Sequence, residues 1–144
     1  IKKKLMRLLQ KPLFLLCFLF FVTISFGQEV TTYYLIRHAE KDLSDKSNRN
    51  PHLTEVGKVR AQAWKTIFKE VTFDKVYSTA YHRTLETAAP TAEDHQINVE
   101  DYDPRNLYSP NFKKATQGKT VLVVGHSNTT PYLANKIQGY KTML

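Results

Sequence analysis

The sequence contains one cysteine, Cys17, and it lies inside an apolar run near the start, "PLFLLCFLFFVTISF". Acidic residues are missing from that region altogether. None occurs before Glu29, whereas Lys2, Lys3, Lys4, Arg7 and Lys11 all do. The 144-residue chain carries 21 basic and 13 acidic side chains, a formal charge of +8, and those five early cations are the whole difference between +8 and the +3 of residues 28–144. A net +3 points to no particular partner, and nucleic acid is not expected to be one. Also absent is an apolar run of the ~20 residues that a spanning helix needs. What remains is a basic stretch, a short apolar core, and small residues Ser25 and Gly27 placed three and one before Gln28. That three-part form is read as a secretory signal peptide over residues 1–27. Residues 28–144 are then expected to be exported, periplasmic or extracellular, with no stable membrane association once the leader is removed. The mature chain would hold no thiol, which excludes disulfides, zinc–thiolate sites and cysteine catalysis.

Residues 28–144 also lack repeats, low-complexity tracts and any composition break, so they read as one domain. The chain opens on Ile1 instead of methionine and closes on "GYKTML", an unfinished apolar pattern. The reading is therefore of a fragment, with a truncated C-terminus.

Strand and helix signals alternate along this domain. "TTYYLI", "FDKVYST", "INVEDY" and "TVLVVG" read as strands. "LTEVGKVRAQAWKTIFKEV" reads as a helix capped by Thr54, with Val56, Val59, Ala63 and Ile67 as its apolar face. "AYHRTLETAAPTAEDH" reads as a helix that Pro90 kinks or splits. "NLYSPNFKKATQGK" is loop and helix, and "TPYLANKIQG" is a helix begun by Pro131 and ended by Gly139. Continuous apolar strands alternating with helices predict an α/β three-layer sandwich, a mostly parallel sheet covered by helices on both faces.

Such a sheet explains why an apolar strand should end on "IRHAEK". Ligands bind outside the carboxyl ends of parallel strands, where helix N-termini favour anions. Arg37 and His38 follow one strand, Gly125 and His126 another, and Arg83 starts the helix after a third. Two arginines and two histidines at one sheet edge suit a phosphate, whose oxygens guanidinium forks bind in pairs.

These stretches resemble the histidine phosphatase superfamily, the phosphoglycerate-mutase-like proteins. "LIRHAEK" is similar to its Arg-His signature and "HLTEVGKVRA" to its Leu-Thr-x-x-Gly segment. "VYSTAYHRTLETA" resembles the segment with the second arginine, and "VLVVGHSNTTP" the second-histidine strand. The resemblance runs in family order from Tyr33 to about Leu133. It implies a phosphoglycerate-mutase-like fold, His38 as the nucleophile that is phosphorylated and then hydrolysed, and Arg37, Arg83 and His126 as the phosphate pocket. Neighbouring guanidinium charge should keep His38 neutral for attack, and His126 should gain a proton against the dianion. The scheme calls for no metal and no cofactor.

Hydrolysis is expected over mutase transfer, because export removes the chain from a phosphoglycerate supply. Without insertions for a large cap, an open cleft is expected, taking a phosphorylated small molecule or a phosphoprotein. The candidate general acid is Asp103 in "VEDYDPRNL", with Asp101 and Glu100 behind it, since Ser127 stands where some family members carry an aspartate. Tyr81 and Tyr108 are candidates for the substrate entrance. His52, His82 and His95 are assigned to structure or solvent. Two alternatives come from other chemistry. A non-catalytic anion-binding module would keep the pocket and lose turnover. A serine hydrolase built on Ser127 would need an acid and a histidine later in the chain, and none follows.

Overall fold

The computed structural model describes residues 29–139, so the signal peptide assigned to residues 1–27 lies outside the described residues. The elements alternate: β1 (Thr32–Arg37), α1 (Glu55–Ile67), β2 (Lys75–Ser78), α2 (His82–Asp94), β3 (Val99–Asp101), α3 (Pro110–Thr116), β4 (Thr120–Gly125) and α4 (Thr129–Gln138). The four strands form a parallel sheet in the order β1-β4-β2-β3. The last strand in sequence is thus central, between the first two.

β4 shows why this sheet needs helices on both sides. Val121 and Val123 point to one face, Leu122 and Val124 to the other, and all four are buried. On one face Leu122 and Val124 join Ile36 and Val76 from the other strands, Phe68 beyond α1, and Ala88 and Ala92 from α2. On the other, Val121 and Val123 pack with Tyr77, Tyr102, Leu107, Phe112 of α3 and Leu133 of α4. The three-layer arrangement expected from the sequence is the one observed. Each fully buried valine or leucine contributes about 1.5–3 kcal/mol, so β4 is the strongest single clamp on the sheet.

Two helices depart from the sequence reading. Val56, Val59 and Ile67 of α1 are 63%, 69% and 62% exposed, and Ala63 is exposed as well. The inward stripe is Gly57, Ala61, half-buried Trp64 and Phe68, offset from the apolar one. Small residues win that face because the chain passes too close for larger ones. A Cβ on Gly57 would stand 2.2 Å from the carbonyl oxygen of Glu40. α2 is one helix and not two. Thr87 and Ala88 before Pro90, and Thr91 and Ala92 after it, are all buried and hold the helix across the proline. α4 begins two residues earlier than read, at Thr129, with Pro131 in its first turn where a missing N–H costs no hydrogen bond.

Candidate active site

Strand register brings the two histidines together. Arg37 pairs with Gly125 on the last rung between β1 and β4, and the His38 N–H donates to Gly125 O at 3.0 Å. His38 and His126 are each the first residue past that rung. Their rings meet edge to face, with centroids 5.4 Å apart and planes at 67°. Ser78 of β2 pairs with Val124, so Thr79 ends its strand at the same level. The turn after it delivers Arg83 as the second residue of α2.

His38 is buried, and its Nδ1 lies 2.7 Å from Ala39 O. A carbonyl only accepts, so Nδ1 carries the hydrogen and Nε2 keeps its lone pair. The loop that holds it is anchored twice. Ala39 N–H donates to Thr87 Oγ1 at 2.9 Å, and that hydroxyl donates to Arg83 O at 2.7 Å, tying the nucleophile's loop to the helix that carries the arginine. Thr54 N–H donates to Glu40 O at 2.8 Å, and Thr54 Oγ1 accepts from Gly57 N–H at 3.0 Å as the α1 N-cap. The Leu-Thr-x-x-Gly stretch is therefore the buttress of the loop from His38 to Lys41.

A threonine pair sets the hydrogen on His126. Its Nε2 lies 3.1 Å from Thr79 Oγ1, which lies 2.9 Å from Thr84 Oγ1. Thr84 Oγ1 is also 2.9 Å from two carbonyl oxygens, those of Thr79 and Tyr81. The single Thr84 hydrogen goes to a carbonyl, so the Thr79 hydroxyl donates to Thr84 and must accept from His126 Nε2–H. His126 Nδ1 is thereby left as the ring nitrogen free to gain or lose a proton. Both threonines are fully buried. The backbone is closely packed at Gly125, just before this histidine: a Cβ there would stand 2.7 Å from Tyr102 Oη and 2.8 Å from Thr130 Oγ1, and those side chains would have to shift.

The charge around the pair is positive. Burial, followed by the fields of Arg83, Arg37 and Lys41, lowers the His38 pKa from its ordinary 6.5, while the hydrogen bond to Ala39 O works the other way. Burial is the largest cause at His126 too, followed by Arg83, His38, Lys41 and Arg37, and carries it down to about 4. Both rings are neutral at pH 7 in the absence of an anion. The His126 imidazolium thus depends on the charge of a ligand. Arg83 is itself pulled down by burial, and its Nε and Nη1 are buried with no hydrogen-bond partner among the described residues. Its guanidinium carbon lies 4.4 Å from the centre of the Tyr81 ring, which in turn meets His126 edge-on at 5.2 Å. Arg37 is exposed.

A cavity of about 600 Å³ opens beside His38, lined by Arg37, Glu40, Lys41, Leu43, Arg60 and Trp64 among others. Its one carboxylate, Glu40, accepts from Arg60 Nε at 2.7 and 2.8 Å and is held below its ordinary pKa by that bond. Arg83 and His126 lie outside this lining.

Arg37, His38, Arg83 and His126 are thus brought to one place, and Asp103 is not among them. Asp103 follows β3 in an exposed loop and lines a different cavity, with Tyr77, Tyr102 and Phe112. It accepts from Arg105 N–H at 2.9 Å and from Arg105 Nε at 3.1 Å, and these bonds lower its pKa. An acid that must donate a proton needs the opposite shift. Ser127 is exposed, and no hydrogen bond joins its hydroxyl to an imidazole among the described residues. Tyr108 packs against Tyr33 on the far face of the sheet, whereas Tyr81 belongs to the site. Nothing in the sequence alone singles out Thr79, Thr84 and Thr87. Their flanking "YSTAYHRTLETA" was the only signal, and hydroxyls spaced at five and eight residues read as ordinary turn and helix. His52 and His82, assigned above to structure or solvent, stack at 4.1 Å, and His52 pairs with Glu86.

Residues 33–104, half of the chain, match the family described as the histidine phosphatase superfamily (branch 1). None of the curated proteins gives a significant match to the sequence. Among solved structures, a provisionally assigned phosphohistidine phosphatase SixA from Agrobacterium tumefaciens is 23% identical, with a TM-score of 0.61 over 76% of this chain and 77% of that one. The protein histidine phosphatase SixA complexed with tungstate is 18% identical, with a TM-score of 0.60 over 72% and 74%. A mycobacterial glucosyl-3-phosphoglycerate phosphatase is 13% identical, with a TM-score of 0.58 over 74% and 79%. At these identities the likeness is one of fold.

Proposed function

The chain belongs to the histidine phosphatase superfamily, and from that premise we propose that it hydrolyses phosphorylated substrates through a phosphohistidine on His38, without a metal ion. The observation that carries this reading is Arg83: two buried guanidinium nitrogens without partners among the described residues, beside a pair of neutral histidines. A buried unsatisfied donor costs about 1–3 kcal/mol, and a phosphate oxygen would relieve it.

The steps use groups already described. A phosphate dianion binds Arg83 and Arg37, and its charge raises the His126 pKa so that the imidazolium adds a further donor. The His38 Nε2 lone pair attacks phosphorus, the bond from phosphorus to the leaving atom breaks, and the leaving group takes a proton from His126 or water. Water then attacks phosphorus, the P–N bond breaks, and inorganic phosphate departs with His38 neutral again. Glu40 and Asp103 are both held ionised by arginines, so neither carboxyl group is poised to donate. This favours leaving groups that depart without a strong acid, such as an aryl oxygen or an imidazole nitrogen, over alkyl oxygens. Phosphohistidine in a protein meets that chemical demand, and one of the structural neighbours above carries it in its name. Export through residues 1–27 is part of the proposal, and N-terminal sequencing of secreted protein should begin at or near Gln28.

The lack of a poised acid also favours a second reading, an anion-binding module that no longer turns over. One experiment separates the two. Brief reaction with labelled p-nitrophenyl phosphate, quenched without acid, should release nitrophenol and leave acid-labile, base-stable label on the protein. The label should vanish in His38→Ala, and EDTA should not prevent it. Binding of phosphate without nitrophenol release would establish the module instead.

A further inference from the structure

Outside the phosphate site, a second group of side chains has the make-up of a metal centre. His52, His82 and Glu86 each offer one ligand atom, and these atoms all lie within 4.8 Å of one another. We propose that these three residues bind a zinc or similar late transition-metal ion, which pins the loop after β1 to the helix that carries Arg83.

The three come from two segments. His82 and Glu86 are spaced four apart on the first turns of α2, which puts them on one side of the helix. His52 belongs to the loop before α1 and reaches them across the gap. Its ring stacks on that of His82, with centroids 4.1 Å apart and planes at 15°, and its Nδ1 pairs with Glu86 Oε1. The approach is fixed by bonds that need no metal. Asn50 Oδ1 accepts from His82 N–H at 2.9 Å, and Glu86 Oε2 accepts from Leu53 N–H at 2.8 Å. Two imidazoles and a carboxylate suit zinc, copper and nickel far better than magnesium or calcium, which prefer oxygen ligands. Donors at 2.0–2.2 Å from a tetrahedral ion lie about 3.3 Å apart. Closing from within 4.8 Å to that spacing asks only rotamer adjustments of two exposed histidines, and leaves a fourth position to water. The hydrolytic scheme does not use this ion, so the site is additional to the phosphate pocket.

Occupancy would act on structure. The exposed loop from Asp42 to Arg49 contains Lys46 and Arg49, both open to trypsin. Zinc chloride titrated calorimetrically into the purified protein should bind with one saturable site, raise the melting temperature by about 5 °C when well above its dissociation constant, and slow tryptic cleavage at Lys46 and Arg49. His82→Ala is the decisive variant, because an exposed helical histidine can be truncated without loss of the fold. It should weaken zinc binding by about tenfold or more and abolish both protections. His38→Ala should bind zinc as the parent does, which separates this site from adventitious coordination by the catalytic pair. Absence of a saturable site overturns the proposal. So does zinc binding that survives His82→Ala, or that is lost in His38→Ala.

Discussion

Replacing Arg83 with methionine should move stability and activity in opposite directions. Arg83 holds Nε and Nη1 buried without partners among the described residues. An unsatisfied buried donor costs about 1–3 kcal/mol, and a charged group costs more. Methionine fills similar space against Tyr81 and removes that cost, at the loss of a cation–π contact of about 0.5–1 kcal/mol. The net gain is then up to about 2.5 kcal/mol, or as much as roughly 10 °C in melting temperature for a domain of this size. Activity goes the other way. Losing one charge-assisted, paired contact to phosphate removes ~1.5–3 kcal/mol from both chemical steps, a roughly ten- to 150-fold fall in kcat/KM. Melting curves in phosphate-free buffer and p-nitrophenyl phosphate kinetics at pH 7 measure the two effects. A third readout is His126, whose pKa should rise from about 4 toward 6.5, because Arg83 is the strongest charge holding it down. Stability and activity falling together would show Arg83 to be a structural residue and refute the reasoning.

Because both histidines ionise below 6.5 in the folded protein, the unfolded chain takes up protons first as pH falls, so their contribution to stability is complete above pH 6.5 and drains away towards pH 4. For His126 alone the ceiling is about 3.4 kcal/mol, which solvent screening of a half-buried ring reduces, and urea unfolding at pH 7 and 4.5 should show His126→Asn losing less than the parent. The acid limb of kcat/KM should likewise fall below the ordinary histidine value of 6.5, since attack needs neutral His38; a limb above 7 would contradict the burial argument. Thr79→Val, nearly isosteric at a fully buried position, should lower kcat about three- to tenfold with little change in KM, the worth of one neutral hydrogen bond. Gly57→Ala should destabilise by about 3 kcal/mol or more, because its Cβ would meet the backbone oxygen of Glu40 at 2.2 Å; a variant as stable as the parent would show that the His38 loop yields.

The sequence made some of this legible and concealed the rest for physical reasons. A strand that must be buried on both faces has to be apolar throughout, so "TVLVVG" announced β4, and the abrupt charge after "YYLI" marked where β1 leaves the core. The positions of His38, His126 and Arg83 followed from those ends. α1 misled because burial there falls on Gly57 and Ala61, which contribute almost no hydrophobic signal, while three large apolar residues face outward. The threonine relay was hidden because a hydroxyl's role depends on which acceptors surround it, and Thr84 finds two carbonyls only after the chain turns back from Thr79. Asp103 read as a plausible acid because spacing reports neither direction nor partner, and Arg105, two residues on, claims it. His52 and Glu86 are 34 residues apart, and nothing in their local sequence says that a loop will close over a helix.

The precision of the pocket comes from the core and not from the pocket itself. Packing two neutral imidazoles around a guanidinium whose Nε and Nη1 are buried without partners among the described residues opposes folding, so something else must hold them in position. The β1–β4 pairing does that. A slip of one residue would send Ile36 and Val124 out of the core and turn the side chains at both strand ends to the opposite face of the sheet. Register is therefore enforced by residues that never touch a substrate, and His38 and His126 inherit their 5.4 Å approach from it. The loop is held in the same way, by Gly57 and Thr54 against α1 and by Thr87 against α2. Substitutions that loosen Val124 or Ile36 should accordingly cost activity before they unfold the domain. Ile36→Val, a loss of about 0.5–1.5 kcal/mol in stability, tests this directly. If kcat falls while circular dichroism at the assay temperature stays native, register is what positions the nucleophile; unchanged kcat would mean that the hydrogen bonds around Ala39 suffice alone.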